Sequence, residues 1–143
     1  IYDCFNKYIE DEYLIDENAW YNEKTKKKEN IKKNIIFWSL PKILIIGLNR
    51  FNNNNRKIKD KINIENEIID LSKYVKGYNS KTYIYKLIGS INHFGDTIGG
   101  HYTANINKNK QWYSFNDENI EIINRNNLSQ NTYCLIYKKK NSD

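Results

Sequence analysis

The sequence predicts an α+β fold, namely an antiparallel, β-rich domain with one short helix near its N-terminus. Short segments rich in Ile, Tyr and other strand-forming residues recur along the chain, and Asn- and Gly-containing turns separate several of them. Apolar side chains at helical spacing occur near the N-terminus. With 143 residues, 39% of them hydrophobic, the chain suffices for one domain, or most of one, with a modest core.

The N-terminal part is predicted to contain the helix and an exposed arm. A short helix is expected within residues 2–13, because four apolar side chains share one face at helical spacing: Tyr2, Phe5, Tyr8 and Ile9. Residues 16–34 are polar and rich in Lys, Glu and Asn, which predicts an exposed hairpin or arm. The first residues contain no Met and no apolar leader, so we expect no signal peptide and a chain cut from a longer protein.

The predicted sheet begins after Pro41. Apart from Lys42, residues 42–48 are apolar, so we expect a strand that is buried on both faces. Residues 57–64 alternate over part of their length, as a half-buried strand does, and residues 70–74 are expected to form a single helical turn. Further strands are predicted over 83–91, 101–107, 110–116 and 132–138, and residues 139–143 are expected to form a polar, frayed tail.

A glycine-rich loop over residues 93–100 precedes the first candidate catalytic residue. Gly95, Gly99 and Gly100 permit backbone angles that other residues rarely adopt. His101 follows the glycine pair at the head of the next predicted strand. An imidazole in that position is a candidate general base.

The next hairpin supplies a partner for this imidazole. If Lys108 and Asn109 form its two-residue turn, His101 lies directly opposite Asn116 on the same face. The Asn116 oxygen then accepts a hydrogen bond from one ring N–H and leaves the other nitrogen to act as a base. Asp117 is expected on the opposite face, although a shift of one residue in the turn would exchange the two residues.

Composition argues against several classes of protein. The net charge is +6, but the basic residues are scattered and fit an Asn- and Lys-rich composition, so we expect no nucleic-acid partner. No run approaches the ~20 apolar residues of a membrane span, so no membrane partner is expected. Cys4 and Cys134 are far apart and lie in apolar contexts, which predicts buried, free thiols in an intracellular compartment and no metal or cofactor.

Four segments, in this order, resemble segments of the ubiquitin-specific protease family of papain-like cysteine deubiquitinases. They cover most of the chain: Leu40–Phe51, which is similar to an LPxxLxxxLxRF strand; His93–Ala104, similar to a His box; Trp112–Asp117, similar to a WxxFxD segment; and Thr132–Tyr137, similar to a closing AYxLxY strand. The resemblance implies that residues 1–143 are a single partial domain, the palm and fingers portion of a papain-like cysteine protease fold, with 16–34 as the fingers arm.

The resemblance also implies an activity and its residues. The parent protein would hydrolyse isopeptide or peptide bonds after the C-terminal glycine of ubiquitin, in the cytoplasm or the nucleus. His101 would be the general base and Asn116 its orienter, with Asp117 next to them as a further catalytic candidate. The ubiquitin tail would bind along a channel gated by the loop 94–100 and formed by four residues: Tyr102, Gly100, Gly99 and Phe94.

The chain departs from the family pattern at two places. The family's Cys box is absent, so the nucleophile and the N-terminal half of the catalytic domain are expected partners rather than parts of this chain. Residues 21–25 occupy the place of a zinc-binding cysteine pair but contain no cysteine, so no zinc is expected. A non-catalytic ubiquitin-binding module that has no nucleophile is the alternative hypothesis.

Overall fold

The computed structural model describes residues 1–60, 67–78, 82–124 and 130–140. Its contacts divide the chain into two compact units, one formed by Ile1–Ser39 with Lys73–Ser80 and the other by Leu40–Ser72 with Lys81–Asp143. The α+β class is confirmed, because short helical segments accompany a predominantly antiparallel set of strands. In the described part of the chain, no helix is both long and apolar enough to cross a bilayer.

The first unit contains the helix and two small strand pairs. The helix, α1, spans Tyr2–Tyr8, and Phe5 packs on Phe37 and Tyr74 with ring centroids 5.3 and 5.0 Å apart. The strands are β1 (Glu12–Leu14), β2 (Trp20–Asn22), β3 (Lys27–Glu29) and β4 (Ile31–Lys33), and they pair β1 with β4 and β2 with β3.

The helix is therefore shorter than the apolar spacing over 2–13 indicates. Glu12–Leu14 forms ladder hydrogen bonds with Ile31–Lys33 instead of continuing the helix, and the ion pair between Glu12 and Lys33 joins the two strands. Long-range pairing thus prevails over local helical spacing at this point. The β2–β3 pair forms a hairpin within residues 16–34, preceded by a 3₁₀ turn at Asp16–Asn18.

The second unit contains a seven-stranded sheet whose described neighbours all pair antiparallel. The strand order is β10-β9-β8-β7-β11-β5, and β6 pairs with β7 beside this path. The strands are β5 (Ile43–Gly47), β6 (Ile68–Asp70), β7 (Ile84–Gly95), β8 (Gly100–Lys108), β9 (Gln111–Asn116), β10 (Asn119–Ile123) and β11 (Thr132–Lys139). Five fully buried side chains form the centre of its core: Leu71, Tyr85, Leu87, Leu135 and Tyr137.

One prediction about the sheet was wrong, and a second lies partly outside the described residues. Strand β5 is not buried on both faces, since Ile43 and Ile45 are 43% and 64% exposed. The reason is its position, because β5 lies at the end of the described strand order and one of its faces is uncovered. Of the strand predicted over 57–64, residues 57–60 form only an isolated bridge between Lys57 and Phe51, and 61–64 lie outside the described residues.

A buried arginine holds the backbone near residue 60. Arg50 is 3% exposed, and its guanidinium donates hydrogen bonds to the carbonyl oxygens of Thr132 (2.7 Å) and Asp60 (2.6 Å). The backbone near residue 60 is thus held by a side chain rather than by a neighbouring strand. We name residues 50–60 the Arg50 segment.

The ends of the predicted elements also moved. The loop expected over 93–100 shrinks to 96–99, because β7 runs to Gly95 and pairs there with Gly100. The turn predicted within 70–74 forms as a 3₁₀ turn at Ser72–Tyr74. Lys139 still belongs to β11, and Lys140 donates its backbone N–H to Ile84, so these two residues are held in place; 141–143 lie outside the described residues.

Candidate active site

The β8–β9 hairpin brings His101 and Asn116 together. The turn residues are Asn109 and Lys110, both in the left-handed region with φ values of 53° and 67°, which matches the right-handed twist of the strands. Ala104 therefore pairs with Phe115, and the register that we expected from a Lys108–Asn109 turn was wrong by two residues. A slip of two residues leaves every side chain on its original face, so the two residues still meet, diagonally instead of directly.

The contact between them is a short hydrogen bond. His101 Nε2 lies 2.5 Å from Asn116 Oδ1. A carboxamide oxygen only accepts, so Nε2 carries the proton and Nδ1 is the basic nitrogen of the neutral ring. The side chain of His101 is 47% exposed, and no bond to Nδ1 occurs among the described residues. This arrangement gives a proton acceptor that is oriented by one partner and open on its other side.

Asp117 does not face away, contrary to the expectation from strand alternation. Its Oδ2 lies 3.9 Å from His101 Nε2. The alternation ends because Asp117 is the first residue of the turn between β9 and β10, with φ 51°, and Asn116 pairs with Asn119 across that turn. The carboxylate is 76% exposed, so water screens its attraction to a protonated imidazole.

The residues expected to bind substrate lie around this base. Phe94 is the cross-strand partner of His101, and Gly100 pairs with Gly95, while Gly99 lies in the tight connection between the strands. A Cβ at residue 100 would meet the His93 ring and the Phe94 carbonyl, so only glycine fits there, whereas a Cβ at Gly99 would point into open space. Phe94 and Tyr102 both have exposed side chains.

Neither cysteine is placed as a nucleophile by its own environment. Cys134 is buried in β11, and burial raises the pKa of its thiol, which is opposite to the activation of a catalytic thiol. Cys4 is exposed, so the expectation that both thiols are buried was wrong for it; α1 has no buried residue. In the described ranges, no three His, Cys, Asp or Glu side chains form a group suited to a metal ion.

Sequence reasoning missed His93, which lies beside the candidate base. Its side chain is 4% exposed, and its ring packs against Tyr102, Phe51 and Tyr133 with centroid distances of 4.7, 6.0 and 5.9 Å. Burial and, secondarily, Lys57 lower the pKa of His93. A signal was present, since extending the strand over 83–91 to Gly95 makes His93 the partner of Tyr102.

Comparison with known proteins gives a consistent family. Residues 9–137 match the family described as ubiquitin carboxyl-terminal hydrolase. The chain is 34% identical over 151 residues to ubiquitin carboxyl-terminal hydrolase 10 of Arabidopsis thaliana, with 100% of this chain and 16% of that protein covered. It is 33% identical over 149 residues to ubiquitin carboxyl-terminal hydrolase 4 of Pongo abelii, with 99% of this chain and 15% of that protein covered.

A solved structure agrees with these relatives. The structure titled as the SAGA Ubp8(S144N)/Sgf11/Sus1/Sgf73 DUB module contains a chain with a TM-score of 0.77 and 27% identity, and the match covers 99% of this chain and 33% of that one. The chain thus spans a third of that solved chain, and it spans about one sixth of the length of relatives such as hydrolase 10, of which 16% is covered. On these matches, the chain belongs to the ubiquitin carboxyl-terminal hydrolase family.

Proposed function

We propose that the protein containing this chain is a thiol-dependent deubiquitinase that hydrolyses isopeptide or peptide bonds at the C-terminal glycine of ubiquitin. The observation that carries the proposal is the Nε2–H···Oδ1 bond between His101 and Asn116, which leaves Nδ1 as a base in a chain of this family. Oriented imidazole bases of this kind serve thiol nucleophiles in Cys-His-Asn sets.

In the proposed reaction, His101 moves a proton twice. Nδ1 accepts the proton of the nucleophilic thiol, and the thiolate sulfur forms a bond to the carbonyl carbon of ubiquitin's last glycine. The C–N bond then breaks, and the protonated ring gives its proton to the departing amine. Nδ1 then takes a proton from water, whose oxygen attacks the thioester carbonyl carbon. The C–S bond breaks, the ring returns its proton to the departing thiolate, and ubiquitin leaves with a free C-terminal carboxyl group.

Asn116 supports each of these transfers without titrating. Its oxygen holds the Nε2 proton, so the ring keeps one tautomer and one orientation in every cycle. Asp117, at 3.9 Å from the same nitrogen, adds a weak, solvent-screened attraction to the protonated ring. We therefore assign the orienting role to Asn116 and a secondary electrostatic role to Asp117.

The nucleophile comes from outside these 143 residues. Cys134 is buried with a raised pKa, and no Cys-box pattern surrounds Cys4. We propose that the N-terminal half of the catalytic domain supplies the thiol and that residues 1–143 alone are inactive. The two free cysteines fit a reducing compartment, and we place the protein in the cytoplasm or the nucleus.

The ubiquitin tail would bind beside His101. Gly99 and Gly100 present backbone without side chains, and the exposed rings of Phe94 and Tyr102 flank them. Such a slot fits a chain end that is itself made of two glycines and excludes bulkier tails. The β2–β3 hairpin of residues 16–34 would act as the fingers arm against the body of ubiquitin.

A ubiquitin-binding module without catalysis is the second candidate. The two functions separate in one experiment, in which the full-length protein receives a ubiquitin C-terminal fluorophore substrate. The proposal expects turnover that iodoacetamide abolishes. Tight binding of ubiquitin without turnover would support the module and reject the enzyme.

A further inference from the structure

We propose that His93 is a positioning residue, whose neutral ring fixes the backbone and side chain on both sides of His101. This inference rests on the proposed deubiquitinase function. His93 lies across from Tyr102 in the β7–β8 hairpin, and its ring fills the space beside Gly100. Gly100 and Tyr102, the residues on either side of His101, therefore both pack against the His93 ring.

The contacts explain how the ring acts. A Cβ at residue 100 would collide with His93 Nε2, which shows that the ring lies against the glycine backbone. On its other side, the Tyr102 ring centroid is 4.7 Å away. Since Tyr102 and Gly100 form part of the proposed tail channel, a displaced His93 ring would change how ubiquitin's tail binds and where His101 points.

The ring is held from behind by two further elements. The Phe51 ring, in the Arg50 segment, has its centroid 6.0 Å from that of the His93 ring. The Lys57 ammonium of the same segment donates a hydrogen bond to the His93 carbonyl oxygen. The Tyr133 ring has its centroid 5.9 Å from that of the His93 ring, and Tyr133 lies where the pairing of β11 with β7 shifts register. The Arg50 side chain joins these elements, because its Nε–H donates a hydrogen bond to the carbonyl oxygen of Thr132. The His93 ring thus packs between these core elements and the segment that contains the proposed base.

The surroundings also favour the neutral form of His93. Its Nδ1 is buried and has no hydrogen-bond partner among the described residues. The charged and titratable groups that face it are Lys57, Asp96, Tyr102 and Tyr133, and the net effect of burial and Lys57 is a lowered pKa. Burial and the nearby Lys57 ammonium both penalise a proton on this ring.

This gives a pH signature. A histidine with an ordinary pKa of about 6.5 in the unfolded chain and a lower pKa in the fold binds more protons when unfolded. The contribution of the neutral His93 ring to the stability of the fold is therefore complete above about pH 6.5, and it weakens as the pH falls toward the lowered pKa of His93. At pH values below that pKa, the acid limb of the log kcat/KM profile should be steeper by one proton than the proposed catalytic groups alone would make it.

The test compares three variants of the full-length protein with a ubiquitin C-terminal fluorophore substrate. His93→Phe keeps a ring and removes the titration, so kcat/KM at pH 7.5 stays within about threefold of wild type, and the acid limb loses one proton. His93→Ala removes the ring, so KM rises at least about tenfold. Tyr83→Ala is the matched control, because Tyr83 is a ring of similar burial, at 5% exposure, and the Lys139 ammonium lies over it, 3.8 Å from the ring centroid.

Two outcomes would overturn the inference. One is a KM for His93→Ala that equals that of Tyr83→Ala, with both variants folded at the assay temperature. The other is an acid limb for His93→Phe that is as steep as in wild type. A third measurement is independent of activity: ¹⁵N-histidine NMR of the full-length protein, assigned with His93→Phe and His101→Gln, should show His93 titrating below pH 6.5 and shifting Tyr102. Titration at or above that value rejects the inference, even if no enzymatic activity is found.

Discussion

His93 and His101 belong to one hairpin but occupy opposite environments. His93 lies on β7 and pairs with Tyr102, whereas His101 lies on β8 and pairs with Phe94. Because neighbouring residues of a strand point to opposite faces, the two rings lie on opposite faces of the sheet. His101 is half-exposed and bonded to Asn116, whereas His93 is buried among aromatic rings with an unpartnered Nδ1. One face of the hairpin thus offers an exposed, oriented ring, and the other holds a buried ring whose surroundings favour its neutral form.

The largest effect should come from the exposed ring. In the full-length protein, His101→Ala removes the only group proposed to move protons, so kcat should fall by about a thousandfold. Ubiquitin binding should change little, because the proposed role of His101 is proton transfer rather than binding of ubiquitin. Steady-state kinetics and the ubiquitin Kd measured by calorimetry check this. A residual kcat within tenfold of wild type would contradict the role of His101 as base.

Two adjacent glycines give a smaller effect that sharpens the comparison. Gly100→Ala drives a methyl group into the His93 ring and the Phe94 carbonyl, so we expect a loss of about 1–3 kcal/mol in unfolding free energy. Gly99→Ala, the matched control, points into open space and should stay within about 0.5 kcal/mol of wild type. Chemical denaturation measures both, and equal losses would show that His93 does not fill the space beside Gly100.

The smallest effect is expected at Cys134. Burial raises the pKa of this thiol, so it stays protonated at neutral pH and takes no part in the reaction. Cys134→Ala should leave kcat within about twofold of wild type while lowering stability modestly, since a small buried side chain is lost. Loss of all turnover in this variant would identify Cys134 as the nucleophile and overturn the proposal that the thiol lies elsewhere.

The sequence was most informative where the pattern is local. Alternating apolar residues and turn chemistry predicted β7, β8, β9 and β11, and the pairing of His101 with Asn116 survived a register error because the slip was even. β10 (Asn119–Ile123) was missed, although Ile120 and Ile122 alternate with polar residues as in a strand.

Errors arose where distant contacts decide the outcome. The helix ended early because Glu12–Leu14 pairs with Ile31–Lys33, and the Arg50 guanidinium holds the backbone that the alternation assigned to a strand. Asp117 was misplaced because a left-handed turn residue breaks strand alternation. His93 escaped notice because its burial depends on Phe51 and Tyr133, which are far away in sequence.

Asn116, rather than Asp117, is the residue that we propose orients the base. The kcat values of two alanine variants test this proposal most directly. Asn116→Ala removes the 2.5 Å bond to Nε2 and should lower kcat by about tenfold to a hundredfold, a smaller loss than that of His101→Ala. Asp117→Ala removes a screened charge 3.9 Å away and should lower kcat by no more than about threefold. If Asp117→Ala is far more damaging than Asn116→Ala, with both proteins folded, the assignment of the orienting residue is wrong.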